Sequence, residues 1–304
     1  VKESTWLGYI DAFIAAGDFA ANTVKSYRIT LARFVHEIRP HKRGWEGRAI
    51  GWKGELAEQM VPRSVSHHIT CVRSFLKWCG GMGYAAVNPM MAVKIRVTKS
   101  GDRSILSDAE VRKLLAVKLS TGSDICDERV ARDRAILMIM LYTGMRVSGV
   151  RMLDIEDIKT RNKVTLVYYV GKGHIGKDAF AVLRPQVVEA VDVYLESGGR
   201  SRKQDVGPLF IAPNNRISES GMRRAVNGRF AEAGVDRPGI TIHSLRHTAA
   251  TKAYRAGVST GEIQRMLDHK SPATTELYLH EIKRVDKPPE MSIDYGEDEP
   301  DANV

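Results

Sequence analysis

Cysteine is scarce in this 304-residue sequence: Cys71, Cys79 and Cys126 are odd in number and none belongs to a C-x-x-C pair. A disulfide framework and a zinc site are therefore both unexpected, and the three read as reduced, buried thiols. Long apolar runs are also missing. The longest, Ala135 to Tyr142, falls well short of the roughly 18 residues that a membrane span needs, and no charged n-region with an apolar h-region opens the chain. The expectation is a cytoplasmic protein with no membrane partner. Repeats of 20 to 50 residues are absent, and low complexity is confined to the C-terminal tail.

What is abundant is positive charge. The formal net charge is +10, yet from Asp286 onward seven acids (Asp286, Glu290, Asp294, Glu297, Asp298, Glu299 and Asp301) face one lysine, Lys287, so that this net −6 leaves residues 1–285 at +16. A folded body so basic gathers counterions, and a polyanion that displaces them gains affinity, which points to nucleic acid. A solvated basic surface without such a partner is the plain alternative.

Length suggests about two domains. Residues 1–95 read as an all-helical unit. Trp6, Ile10, Phe13 and Ile14 share one helical face, Tyr27, Leu31, Phe34 and Val35 a second, and Val65, Ile69, Val72, Phe75 and Leu76 a third. Asn22 and Thr23 are candidate caps for the second helix, a Gly- and charge-rich stretch from His41 to Gly54 separates it from the third, and Cys79-Gly80-Gly81 ends the last. Residues 96–103 read as a linker. Lys94, Arg96, Lys99 and Arg103 would suit a segment laid on a DNA backbone, or equally an exposed linker kept soluble by its charges.

The second unit, residues 104–285, opens on the capping box Ser107-Asp108-Ala109-Glu110. Ala135 to Tyr142, apolar all round, predicts a buried helix. Val164–Val170 and Ala179–Leu183 predict a β-hairpin, and Ser259 with Glu262 is another capping box. Ser271-Pro272 would start a short helix carrying Tyr278. The fold class is thus mainly α, with a small antiparallel sheet in the second unit, and residues 286–304 form an acidic tail expected to be disordered.

The hairpin loop Gly171-Lys172-Gly173-His174-Ile175-Gly176 spells G-x-G-x-x-G. A dinucleotide site needs a helix straight after that motif, and a kinase-like loop needs H-R-D and D-F-G partners; a strand follows here and those partners are missing. What remains is a glycine turn, or a loop that presents Lys172. His243 and His247 stand at i and i+4 as zinc pairs do, but Ser244 occupies the place of the metalloprotease glutamate. A lone histidine or tyrosine is more often packed than catalytic. The grouping of HSLRHT (His243–Thr248), LDH ending at His269 and TTELY ending at Tyr278 carries more weight than any one of them.

These residues resemble the tyrosine recombinase family of phage integrases and Xer-type recombinases. That family's second box is H-x-L-R-H, matched by His243-Ser-Leu-Arg246-His247, and its nucleophile follows L-G-H by nine residues, the separation between His269 and Tyr278. TGMRVSG at Thr143 to Gly149 looks like the first box, T-G-L-R-x-S-E, with its arginine at Arg146. Lys172 matches the hairpin lysine, and NTVKSYRITLARF with VNP at Val87 to Pro89 resembles the core-DNA-binding domain and its exit. The resemblance runs from about residue 5 to 283. It implies a two-domain clamp around double-stranded DNA, with 1–95 as core-binding domain and 104–285 as catalytic domain. It also implies a homo-tetramer on two recombination sites, accessory DNA-bending proteins and a nucleoid location in a bacterial host.

The implied chemistry is site-specific strand exchange without metal, nucleotide or other cofactor. Tyr278 would attack the phosphate to give a 3′-phosphotyrosyl bond, Arg146 and Arg246 would hold the non-bridging oxygens, and His269 would add a hydrogen bond. His243 would serve as base and Lys172 as acid toward the leaving oxygen. Arg223, Arg224 and Arg229 would touch the DNA backbone or form an exposed basic helix face. Gly149 stands where the family's box carries glutamate, which leaves the positioning of Arg146 open; Met145 for Leu and Asp268 for Gly are milder departures. A type IB topoisomerase and a DNA-binding protein with a dead site are the rival readings.

Overall fold

The computed structural model describes residues 2–95, 104–116, 124–171, 176–213, 215–269 and 271, the side chains of 124–127 excepted. The chain divides into two compact units, Val1–Gly101 and Asp102–Val304.

The first unit is helical throughout: α1 (Glu3–Ala16), α2 (Ala21–Ile38), α3 (Trp45–Gln59), α4 (Pro62–Gly81) and a 3-10 turn at Pro89–Ala92. Each of the three expected apolar faces packs into the core, Tyr27 being half-buried at its margin, and rings dominate that core. Phe13 meets Phe75 with ring centroids 5.5 Å apart, and Phe34 meets Trp52 at 5.3 Å, both edge to face. Trp52 is wholly buried and satisfies its indole by donating to Glu37 Oε2 at 2.6 Å. Arg73 on α4 donates to the carbonyls of Met90 (3.1 Å) and Val93 (2.6 Å), fixing the chain as it leaves the unit. Burial pushes the thiols of Cys71 and Cys79 up to about 12, as expected for inert core cysteines. Cys126 lies among the side chains not described.

Two local expectations are corrected. The expected separator, His41 to Gly54, holds the first ten residues of α3, which continues to Gln59, because Trp45, Ala49, Trp52 and Leu56 recur at helical spacing among its glycines and charges. The second helix begins with Ala20 as its N-cap residue, so Asn22 and Thr23 lie inside α2 and do not cap it.

In the second unit come α5 (Asp108–Leu115), α6 (Asp124–Thr143), α7 (Val147–Arg151), β1 (Ile158–Arg161), β2 (Val164–Tyr169), β3 (Ala179–Leu183), α8 (Pro185–Ser197), α9 (Glu219–Glu232), α10 (Ile242–Arg255) and α11 (Thr260–Met266). Both capping boxes form as the sequence predicts, with Ser107 accepting from Glu110 N and Ser259 from Glu262 N. From Ala135 to Leu141, α6 is buried on every side, and it packs against α8, α9, α10 and β3. The sheet is antiparallel in the order β1-β2-β3, Val167 pairing with Ile158 on one side and with Ala181 on the other. β1 is an addition to the expected hairpin. Its link to β2 is a two-residue turn, Asn162-Lys163, with φ of 49° and 65°, the twist that tight hairpins require.

Candidate active site

Three sequence-distant segments converge on two arginines. The first is the end of α6. There Gly144 takes φ 66° and donates to Met140 O at 3.0 Å, terminating the helix. A side chain at that position would not fit, since a Cβ would lie 2.8 Å from Leu267 Cδ2. Reversal at Gly144 brings Arg146 to the N-cap of α7 in extended conformation.

The second segment is the start of α10, whose Thr241 and Ser244 form a reciprocal cap. Arg246 follows within the second turn and is only 4% exposed. It donates through Nη1 to Gly144 O at 2.5 Å and through Nη2 to Leu267 O. Burying a guanidinium demands such partners, and here they tie the helix to both other segments. His243, three residues earlier and so on the same side of the helix, is exposed. His247 is buried, its ring 6.3 Å from that of His243 and nearly perpendicular to it.

The third segment is the end of α11. Asp268 N donates to Arg265 O (3.0 Å) and His269 N to Gln264 O (3.1 Å), the paired bonds of a Schellman ending. Asp268 occupies its left-handed position with φ 48°, where the family motif has glycine. Its carboxylate accepts from Arg146 Nη1 at 3.2 Å and its carbonyl from Nη2 at 3.2 Å. His269 is buried beside it, with its carbonyl accepting from Gln264 Nε2 at 3.0 Å. Arg146, Arg246 and the turn carrying His269 therefore form one hydrogen-bonded assembly.

The sheet reaches the same place. Tyr169 at the end of β2 is buried, which pushes its phenol up; Asp268 adds to that shift, and Arg246 and Arg146 oppose it. Three residues before Lys172, the strand is thus within electrostatic reach of both arginines. At the far end of the loop Lys177 donates to Asp154 Oδ2 (2.6 Å) and Asp157 Oδ2 (2.5 Å), while Arg216 pairs with Asp154 from the other side. Burial by itself would lower the Lys177 pKa, but these hydrogen bonds raise it overall. For Asp154, burial raises and the bonds to Lys177 and Arg216 lower, and the lowering prevails. Lys172 and Tyr278 themselves, with Pro272 and the rest of the expected helix and the acidic tail, lie outside the described residues.

Of the candidate DNA contacts, Lys94 is exposed, and its carbonyl accepts from Lys53 Nζ at 2.8 Å. Arg223 and Arg224 are exposed on α9, the former paired with Glu219 at 2.7 Å. Arg229 faces inward, 8% exposed, bound to Asp133 and Glu232, which makes it an internal link and not part of a basic surface. Arg96, Lys99 and Arg103 lie outside the described residues. Asp268, Tyr169, Lys177 and Asp154 were not anticipated as site residues. Asp268 alone carried a signal, as a non-glycine in a glycine position of the motif. Among the described residues no group of three His, Cys, Asp or Glu side chains could hold a metal, and no helix is long and apolar enough to cross a membrane.

Comparison with known proteins bears on the family and the fold. Residues 105–284 match the model of the phage integrase family. The tyrosine recombinase XerC of Corynebacterium efficiens is 30% identical over 266 residues, which span 85% of this chain and 80% of that protein. The tyrosine recombinase XerD of Listeria monocytogenes is 26% identical over 286 residues, 90% and 93% of the two chains. Among solved structures, XerH bound to palindromic difH after cleavage matches with a TM-score of 0.70 at 17% identity, covering 95% of this chain and 85% of that one. A lambda integrase dimer on a core site also gives 0.70 at 17% identity, over 91% and 77%. Those structural likenesses bear on the fold, and the sequence matches on membership: the chain belongs to the phage integrase family of tyrosine recombinases, the enzymes of site-specific DNA recombination.

Proposed function

We propose that this chain cuts and rejoins double-stranded DNA at defined sites with Tyr278 as nucleophile and Arg146, Lys172, His243, Arg246 and His269 as its partners. The observation that carries the assignment is the joining of Arg146 and Arg246, a hundred positions apart in sequence, through Gly144, Leu267 and Asp268. Guanidiniums so anchored offer fixed donors to the non-bridging oxygens as charge builds on them, without reorganisation at the moment of reaction. A phenol with an unperturbed pKa of about 10 costs on the order of 4 kcal/mol to ionise at neutral pH. His243, exposed beside Arg246, accepts that proton as the Tyr278 oxygen bonds to phosphorus. Lys172 protonates the departing 5′ oxygen, and His269 holds a phosphate oxygen. The 3′-phosphotyrosyl ester retains the phosphodiester's energy, so a 5′ hydroxyl of the exchange partner reseals the strand by the reverse step.

Residues 1–95 serve here as core-DNA-binding domain and 104–285 as catalytic domain, with Lys94, Arg96, Lys99, Arg103, Arg223 and Arg224 as backbone contacts. The working assembly is a homo-tetramer on two sites, aided by DNA-bending proteins, in the bacterial cytoplasm at the nucleoid. The test is trapping on a nicked duplex that loses its 5′ hydroxyl fragment after cleavage. Wild type should accumulate a covalent protein–DNA adduct and Tyr278→Phe none. A wild type that forms no more adduct than Tyr278→Phe removes the reading.

A further inference from the structure

We propose that Asp268 is the positioning residue for Arg146, supplying from the end of α11 the acid that the first motif lacks at Gly149. Gly149 is buried in α7, three residues after Arg146, and brings no charge. The carboxylate reaching Arg146 comes instead from 122 positions further along the chain. Asp268 holds the guanidinium at two points, Oδ2 on Nη1 and the main-chain oxygen on Nη2, so it fixes the direction of the fork as well as its place. Two of the five guanidinium N–H groups are used this way, and the other three have no hydrogen-bond partner among the described residues. The backbone cost is visible: an L-residue adopts φ 48° at a position where the motif's glycine would carry no strain. Aspartate is among the residues that tolerate that region best, and its retention in a strained position matches a side chain in use.

Position 149 has room for the first carbon of a side chain. A Cβ at Gly149 would meet Tyr169 Cδ2 at 3.5 Å and Met145 Cε at 3.6 Å, ordinary contacts that need no rearrangement. Residue 149 follows Arg146 by three positions, so a side chain there lies within one turn of it. Asp268→Gly should therefore disarm Arg146 while relieving the turn, and Gly149→Glu should rearm it from α7.

This inference rests on the recombinase reading, and its test separates the two. Single-turnover adduct formation on the nicked duplex, at saturating DNA, is compared for wild type, Asp268→Asn, Asp268→Gly and Asp268→Gly/Gly149→Glu, with DNA affinity and melting temperature measured alongside. Asp268→Gly should cleave roughly ten- to a hundredfold more slowly with DNA affinity and melting temperature unchanged, as expected for a misplaced catalytic group. Asp268→Asn, which keeps shape and turn preference, should lose several-fold, and the double variant should recover most of the Asp268→Gly loss. Wild-type rates in Asp268→Gly and Asp268→Asn would overturn the proposal. So would a loss that follows the melting temperature and is not restored by Gly149→Glu, since that is the behaviour of a merely structural residue. Failure of wild type itself to form adduct would instead sink the recombinase reading and this inference with it.

Discussion

The first unit and the candidate-site region of the second are both built from helices, but opposite kinds of contact close them. Trp6, Phe13, Phe34, Trp52 and Phe75 fill the first with rings, and polar bonds such as Trp52 to Glu37 merely satisfy what burial strands. In the second, α6 supplies a conventional apolar centre, yet the segments that matter most, at Gly144, Arg246 and Leu267–His269, are joined by guanidinium donors to carbonyls and a carboxylate. The hydrophobic force that buries rings has no direction of its own. Hydrogen bonds from a planar fork fix angle as well as distance, which a phosphate-gripping site requires.

Substitutions in the two regions should expose that difference, and the largest stability effect belongs to the aromatic core. Trp52→Ala should cost about 3–5 kcal/mol in a denaturant melt, from lost transfer energy and the cavity left behind. A cost under about 1 kcal/mol would mean that the rings are not close-packed. Next, Arg246→Ala should cost about 2–3 kcal/mol, because the carbonyls of Gly144 and Leu267 lose a charged donor inside the protein. Arg146→Ala, whose pair with Asp268 is 24% and 17% exposed, should cost about 1 kcal/mol or less. Both arginine variants should abolish adduct formation, so equal activity loss with unequal stability loss is the expected signature; equal stability losses would contradict the anchoring described.

The smallest effect is at Lys177, which should sharpen the comparison by pH. Asp154 is held below the ordinary carboxylate range, so its contribution is complete above about pH 5 and lost as pH falls through its folded value. Lys177 is raised, so its contribution is complete below its unfolded value and lost as pH rises through the folded one. Lys177→Gln should thus melt roughly 2–4 °C below wild type near neutrality, with the two curves converging at acid and at strongly alkaline pH. A constant gap across that range would show that charge is not what the lysine contributes.

How much of this was legible in the sequence follows the same division. Helical periodicity found α1, α2 and α4 because ring burial imprints a simple spacing, and capping boxes placed the starts of α5 and α11. It missed α3, where Gly47, Gly51 and Gly54 masked the stripe of Trp45, Ala49, Trp52 and Leu56. Motif spacing named the arginines and histidines, since their chemistry restricts residue type. It gave no account of what holds Arg146, because that anchor is set by tertiary contact and depends on a backbone turn whose φ no local pattern displays. Asp268 looked like a mild departure from glycine; its partner is what gives it meaning. Arg229 shows the converse, a basic residue on a basic helix that folding turns inward to Asp133.

The staple from Arg246 to Leu267 also bears on how the protein is made. During synthesis Arg146 precedes its anchor Asp268 by 122 residues, and Arg246, which already has Gly144 behind it, precedes Leu267 by 21. A chain ending short of Leu267 keeps most of the apolar core yet lacks the carbonyl and the carboxylate that hold the two guanidiniums. The link between α10 and the end of α11 is thus among the last contacts of the described chain to become available.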